Sequence, residues 1–276
     1  MKRRDLSGRR ALVTGAASGI GRAIAIELVK RGADVLLADV DRARLDDAVA
    51  CVRAAAPGRA AEGIVADLSD GSAIDDLAAR ALRGRGVDLL VNNAGVAVVG
   101  PFARLAPPDW EWVRRINLDA PIRLTRAILP SMLARKSGDV AFVASLAGLV
   151  GAPGMSAYTT TKFALVGFAE SLRLEVLRSG IGVTTVCPGY VKTNLHRATR
   201  YDDAGFAKFL DAPPSFYGLD ARDVARRTLD GIETGAPLVV LGPEKMGWWL
   251  KRAAPRVAER VSRWVADRVG IAGQSV

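Results

Sequence analysis

Through the first 243 residues, short apolar runs alternate with amphipathic ones, and that alternation admits few folds. "RALVTG", "ADVLLADV", "AEGIVADL", "VDLLVNNAG", "GDVAFVASLAG", "IGVTTVCPG" and "PLVVLG" read as seven strands. Helical stretches lie between them. They are "GIGRAIAIELVKRG", stopping at Gly32, a charged and apolar run from Arg42 to about Ala56, and "GSAIDDLAARALRGRG". Helices then fill 109–136, separated by Pro121; a long one covers 158–179, and "DARDVARRTLDGIETG" is the last of the series. Strands that are apolar on both faces, each followed by a helix, predict a parallel sheet covered by helices on each side. No internal repeat, low-complexity tract or linker divides this region. The expected class is α/β, a single doubly wound domain over 1–243 with a seven-stranded parallel sheet.

Length and charge narrow the function classes. A chain of 276 residues suits one large α/β domain, and no apolar run approaches the roughly 18 residues that span a bilayer. The start, "MKRRDLSGRRALVTGAASGIG", has the charge order of a signal peptide and two arginine pairs. Its apolar part is short and rich in Gly and Ser, and no clear cleavage site follows. Cys51 and Cys187 lack metal-ligand neighbours at a useful spacing, so neither a metal site nor a disulfide framework is expected, and a cytoplasmic setting fits. The net charge of +10 sits at the ends: +4 over residues 1–10, +5 over 245–276 and +1 between them. A nucleic-acid partner is not expected, since such a fold would be basic throughout.

The first strand–helix turn is "TGAASGIG", residues 14–21. Gly15, Gly19 and Gly21 let the backbone turn sharply and approach a pyrophosphate, and the following helix offers free N–H groups to the anion. Its place between a strand and a helix is the context that such a motif needs, so the domain reads as Rossmann-type. Asp39 ends the second strand, where an acid accepts hydrogen bonds from ribose hydroxyls and repels a 2′-phosphate. That favours NAD over NADP, although Arg42 and Arg44 lie near enough to meet a phosphate. The plainer role for Asp39 is to cap the next helix. Asp67 ends the third strand and "NNAG", Asn92 to Gly95, ends the fourth, where the crevice of such a sheet opens.

TGAASGIG, NNAG, Ser145, "YTTTK" from Tyr158 to Lys162, and "PGYVKT" together resemble the short-chain dehydrogenase/reductase family, in the branch with TGxxxGxG and YxxxK. The resemblance covers roughly residues 6 to 242. It implies a catalytic set of Asn117, Ser145, Tyr158 and Lys162. It also implies a cofactor site of Gly15, Ser18, Gly19, Ile20, Gly21, Asp39, Asp67, Leu68, Asn93, Ala94, Gly95, Pro188, Gly189, Val191 and Thr193, shared with Tyr158 and Lys162. A free tyrosine, pKa about 10, is a poor base at neutral pH. Lys162, one helical turn on, is expected together with the positive nicotinamide ring to draw that pKa down, and also to hold the nicotinamide ribose. Ser145 would hydrogen-bond the substrate oxygen where charge develops. Asn117 would kink a helix and hold a water of the proton relay, and Thr193 would meet the nicotinamide carboxamide. The expected activity is NAD(P)-dependent interconversion of an alcohol and its carbonyl. The alternative is a dinucleotide-sensing regulatory protein, which would have no use for a proton relay. Family members usually form dimers or tetramers, so a homo-oligomer is expected.

Residues 195–217 hold Tyr201, Phe206, Phe209, Phe216 and Tyr217, five of the chain's eleven Phe and Tyr. In the family this insertion covers the substrate, so a hydrophobic alcohol or ketone is expected; packing of the rings onto the body is the competing role. His196 reads as a lid residue. From 244 to 276 the resemblance fades into a basic amphipathic tail with three of the five tryptophans. Such a tail either docks on the body or a sister subunit, or makes peripheral contact with an anionic membrane.

Overall fold

Uninterrupted Ala, Leu and Val extend as strands because aliphatic side chains pack well on a pleated surface. The computed structural model describes residues 3–193, 195, 199–201 and 218–268. Seven strands form one sheet: β1 (Arg10–Thr14), β2 (Asp34–Asp39), β3 (Ala61–Val65), β4 (Leu89–Asn92), β6 (Gly138–Val143), β7 (Ile181–Pro188) and β9 (Leu238–Leu241). Their order is β3-β2-β1-β4-β6-β7-β9, and every pairing is parallel. The order reverses between β1 and β4, which is where a doubly wound sheet opens its ligand crevice. The expected α/β class and seven-stranded parallel sheet are both found.

Alternate side chains of one strand enter different cores. Leu12 packs with α3 (Gly71–Ala81), α5 (Ala120–Arg135) and α6 (Ser156–Glu175), through residues such as Leu77, Leu124 and Leu165. Its neighbours Ala11 and Val13 pack with α1 (Gly19–Lys30), α2 (Arg42–Ala55) and α7 (Ala221–Thr234), through Leu28, Leu45 and Leu229. Aspartates start three of these helices. Asp41, Asp70 and Asp220 accept the N–H of Arg44, Ser72 and Arg222, respectively.

Several local expectations change. Helix α4 (Pro107–Arg114) is parted from α5 by a π-helical turn, Arg115–Asp119, and not by Pro121. Pro121 sits in the first turn of α5, directly after that wider turn. Asn117 holds the widened turn from the side. Its amide donates to Val96 O (2.9 Å) and Thr161 Oγ1 (3.2 Å), and its Oδ1 accepts Val96 N–H (2.9 Å). Helix α6 begins two residues before Tyr158 and ends at Glu175, short of 179. Two strands of three residues, β5 (Ala97–Val99) and β8 (Thr199–Tyr201), pair with each other outside the main sheet. After β9 come two helices, α8 (Lys245–Ala253) and α9 (Pro255–Arg268).

The far end of the sheet holds a buried ion cluster. Asp139 on β6 is 3% exposed and pairs with Arg4 (2.9 Å) and Arg9 (2.5 Å). Burial pushes its carboxyl up, against the pull of the two guanidinium groups. Gly182 faces Asp139 across the ladder, and a Cβ there would strike the carboxylate. Removing one member of such a cluster strands the others, at about 3–5 kcal/mol. Asp139→Ala is therefore expected to lower the free energy of unfolding by that amount in urea titration, and Asp139→Asn by less.

Candidate active site

The site grows from the carboxyl ends of the central strands. Loops after β1, β2, β3, β4, β6, β7 and β9 all open into a cavity of about 750 Å³. Its lower wall is the glycine turn. Gly15 has φ +64°, and a Cβ there would lie 2.8 Å from Ala94 Cα. Gly19 has φ +54° and faces the Thr193 methyl. A Cβ on Gly21 would strike the Gly15 carbonyl and the Asn93 amide, so this close approach of helix to strand demands glycine. Ser18 takes the N-cap position of α1 in an extended conformation, without turning its hydroxyl onto the helix amides. Those amides and the helix dipole face the cavity as an anion-binding surface.

Asp39 lines the same cavity. Its Oδ2 accepts Ala17 N–H (2.9 Å) and its Oδ1 accepts Asp41 N–H (3.2 Å). Capping of α2 falls to Asp41, which leaves Asp39 to tie β2 to the glycine turn. Arg44 lines the cavity but pairs with Asp41 at 3.3 Å; Arg42 is not among the lining residues. Asp67 and Leu68 line the wall beyond β3, where Asp67 accepts both the N–H and the hydroxyl of Ser69 at 2.8 Å. Asn93 does structural work: its amide donates to Thr14 O (2.9 Å) and Gly15 O (3.2 Å). Ile20, Ala94, Gly95, Pro188, Gly189, Val191 and Thr193 also line the cavity.

The side chains expected to form the catalytic set come from the end of β6 and from α6. Ser145 lies just past β6, and its Oγ accepts Ala147 N–H (3.1 Å). Tyr158 and Lys162 lie on one face of α6, 7% and 3% exposed. Burial pushes the Tyr158 phenol above its usual range, while a hydrogen bond with Ser145 pulls it back. Among the chain's own groups desolvation dominates, and the Lys162 ammonium stands 5.7 Å from the ring centroid. Burial lowers Lys162 itself to about 8. Its Nζ donates to Val143 O at 3.0 Å and approaches Gly95. Asn117 is 1% exposed and stands against Gly95 and Thr161, one turn from Tyr158. Ser145, Tyr158 and Lys162 thus converge on one cavity, with Asn117 buttressing the helix behind them.

Several neighbours escape a reading of motifs. Thr14 Oγ1 accepts the N–H of Asn93 (3.0 Å) and Ala94 (3.1 Å), locking β4 onto β1. Its place beside Gly15 is a signal that could have been used. Cys187 is buried beneath Ser145 and Lys162, and burial pushes its thiol up to about 12. Glu244 reaches the cavity from beyond β9, packed on Gly189 and Gly242. No spacing connects it to the other motifs. Of the expected lid, Leu195, Thr199 and Tyr201 line the cavity. His196, Phe206, Phe209, Phe216 and Tyr217 lie outside the described residues.

Comparison with known proteins agrees with this geometry. The short chain dehydrogenase family model matches residues 9–204. Oxidoreductase UcpA of Escherichia coli (strain K12) is 39% identical over 192 residues, 68% of this chain and 71% of that protein. A short chain dehydrogenase/reductase from Burkholderia phymatum, solved in complex with NAD, superposes with a TM-score of 0.85 at 30% identity, covering 92% of this chain and 96% of that one. One from Sphingobium yanoikuyae, in complex with NADPH, gives 0.76 at 26% identity over 97% and 96%. With its sheet order, its glycine turn and its Ser, Tyr and Lys at the crevice, this chain belongs to the short-chain dehydrogenase/reductase family and is an oxidoreductase of that family.

Proposed function

We propose that the protein interconverts an alcohol and its carbonyl on a hydrophobic substrate, using NAD and a proton relay of Ser145, Tyr158 and Lys162. The observation that carries this reading is the convergence of those three side chains on a cavity whose other wall is the glycine cradle. The residues present fit a dinucleotide. A Cβ at Gly15 would meet Ala94 and one at Gly21 the Gly15 carbonyl, so the turn stays tight, and the free helix amides suit a pyrophosphate. Gly15, Ser18, Gly19, Ile20 and Gly21 would hold the phosphates, Asp39 the adenosine ribose, Asp67 and Leu68 the adenine, and Thr193 the nicotinamide end. When bound, the nicotinamide supplies the hydride acceptor in one direction and the donor in the other.

The chain's own groups then manage the proton. In reduction, the Tyr158 hydroxyl donates its proton to the carbonyl oxygen, and burial keeps the phenol in the protonated form this needs. Ser145 accepts Ala147 N–H and bonds with the Tyr158 phenol, which leaves its one hydroxyl proton to turn to the substrate oxygen as charge develops there. In oxidation, Tyr158 acts as the phenolate: its own proton is first lost to solvent, and its oxygen then takes the alcohol proton. Lys162 holds position through Val143 O and offers its remaining N–H groups to the ribose side. Val96, Ala147, Ala152, Met155 and Leu195 supply apolar lining, which supports a hydrophobic substrate.

A screen of alcohols and ketones, followed at the nicotinamide absorbance with NAD and NADP side by side, tests the reading. Turnover on a hydrophobic member with NAD preferred is the expected result. Dinucleotide binding without turnover across the screen would instead indicate a sensor. Asp39→Ala is expected to shift the NAD-to-NADP ratio of kcat/KM by about tenfold or more toward NADP, a change of about 1.4 kcal/mol. A wild-type preference for NADP would assign the pocket to Arg44.

A further inference from the structure

The C-terminal arm carries an exposed amphipathic surface that neither the cradle nor the relay uses. Its first helix, α8, is fixed to the body at two points beside the cavity. Glu244, at its start, lines the cavity and accepts Tyr190 N–H (3.4 Å). Lys251 Nζ donates to Leu149 O (3.2 Å) and stands 5.1 Å from the centroid of the Phe163 ring. Leu149 lies between Ala147 and Ala152, both of which line the cavity. Helix α9 then turns away at Ala254–Pro255, and its main packing is against α8.

Five large apolar side chains of this arm are exposed. Met246 and Trp249 on α8 are 70% and 56% exposed; Val257, Val261 and Trp264 on α9 are 48%, 46% and 56% exposed. Spacing of four and three residues puts the last three on one face of α9. Arg256, Arg260 and Arg263 repeat the same spacing one position earlier, about 100° round the helix, so a basic row runs along the apolar one. Residues 245–264 carry six Lys or Arg and one acid, Glu259, which pairs with Arg263. An α-helix of 14 residues is about 21 Å long, short of the roughly 30 Å hydrocarbon core. Among the described residues no helix is long and apolar enough to cross a membrane.

We propose that α8 and α9 form an interfacial anchor for an anionic bilayer. Met246, Trp249, Val257, Val261 and Trp264 enter the boundary between headgroups and acyl chains, and the arginine row meets the lipid phosphates. Charge selects this occupant over a second copy of the arm, which would set six basic side chains against six. The fixed root of α8 brings the bilayer surface up to the side of the cavity formed by Ala147–Ala152.

Flotation of the full-length protein with vesicles tests this without substrate or turnover. The protein is expected to float with vesicles of phosphatidylcholine and phosphatidylglycerol, to release at high salt, and to stay down with phosphatidylcholine alone. Arg256→Glu, Arg260→Glu and Arg263→Glu together are expected to lower partitioning by at least about 100-fold. Trp249→Ala with Trp264→Ala is expected to lower it by about tenfold. All five positions are solvent-exposed, so an unchanged melting temperature shows that the variants fold. If the parent fails to float with anionic vesicles, or the charge-reversed variant floats equally well, the anchor is wrong. A larger solution mass that these substitutions abolish, without vesicle binding, would reassign the surface to a second copy.

Discussion

Replacing Tyr158 with phenylalanine is expected to lower kcat by about 10³-fold or more, while dinucleotide affinity stays within a few-fold of the parent. Positioned acid–base groups contribute about 10²–10⁴-fold. The upper part of that range applies because Tyr158 is the phenol that bonds with Ser145 in the cavity. The ring itself packs against α6 and the cavity wall, so losing one oxygen leaves the helix in place. Kinetics on the best substrate of the screen, paired with calorimetric titration of the dinucleotide, separates the two effects. Retention of more than a few per cent of activity would remove Tyr158 from the proton path.

Lys162→Met is expected to yield an inactive protein that is more stable than the parent. The ammonium is almost fully buried, and its folded pKa is about 8 against an ordinary 10.5. Below about pH 8 both folded and unfolded chains carry the charge, and the folded state bears the full penalty of burying it. Between about 8 and 10.5 the folded chain has lost the proton and the unfolded chain still holds it, so stability rises with pH across that window. The gap corresponds to about 3 kcal/mol. The bond to Val143 O returns part of that, so a net gain of about 1–2 kcal/mol at neutral pH is expected for the methionine variant. Urea titrations at about pH 7 and about pH 10 check the sign: the parent gains stability with pH more steeply than Lys162→Met. A variant less stable than the parent at neutral pH would mean that the lysine's packing outweighs its charge burial. This exchange of stability for function is common where a site must hold a charge in a dry place.

Much of the fold could be read from pattern alone, because it depends on local chemistry. Leu12 and Val13 are both apolar, and a strand with two apolar faces needs a helix layer on each side. Gly15, Gly19 and Gly21 needed no tertiary information either, since only a turn lacking Cβ atoms can bring α1 against β1. The spacing of Tyr158 and Lys162 is likewise a property of one helix. Pro121 misled because a proline inside a helical run and a proline in a first turn look alike until the preceding turn is seen. The three-residue strands β5 and β8 were too short to give a period, and they pair only because α6 and the region after β7 bring them together.

What the sequence by itself determined was the sheet, its layers and the glycine turn, because each follows from the order of residues within a single strand, turn or helix; Ser145, Tyr158 and Lys162 were singled out by the family resemblance. Tertiary structure alone decided the electrostatics and the neighbours. Asp39 could have capped α2 or faced the cavity, and its bond to Ala17 N settles which. Asp139, Arg4 and Arg9 lie up to 135 positions apart in the chain and meet only because β6 runs through the middle of the sheet. Glu244 reaches the cavity from the far end of the chain because β9 closes the sheet beside β7. Among the chain's own groups, burial and not the neighbouring ammonium sets the direction of the Tyr158 pKa. Spacing along a helix sets who the neighbour is, but burial, which depends on every element packed around the pair, sets how strongly charge is disfavoured there.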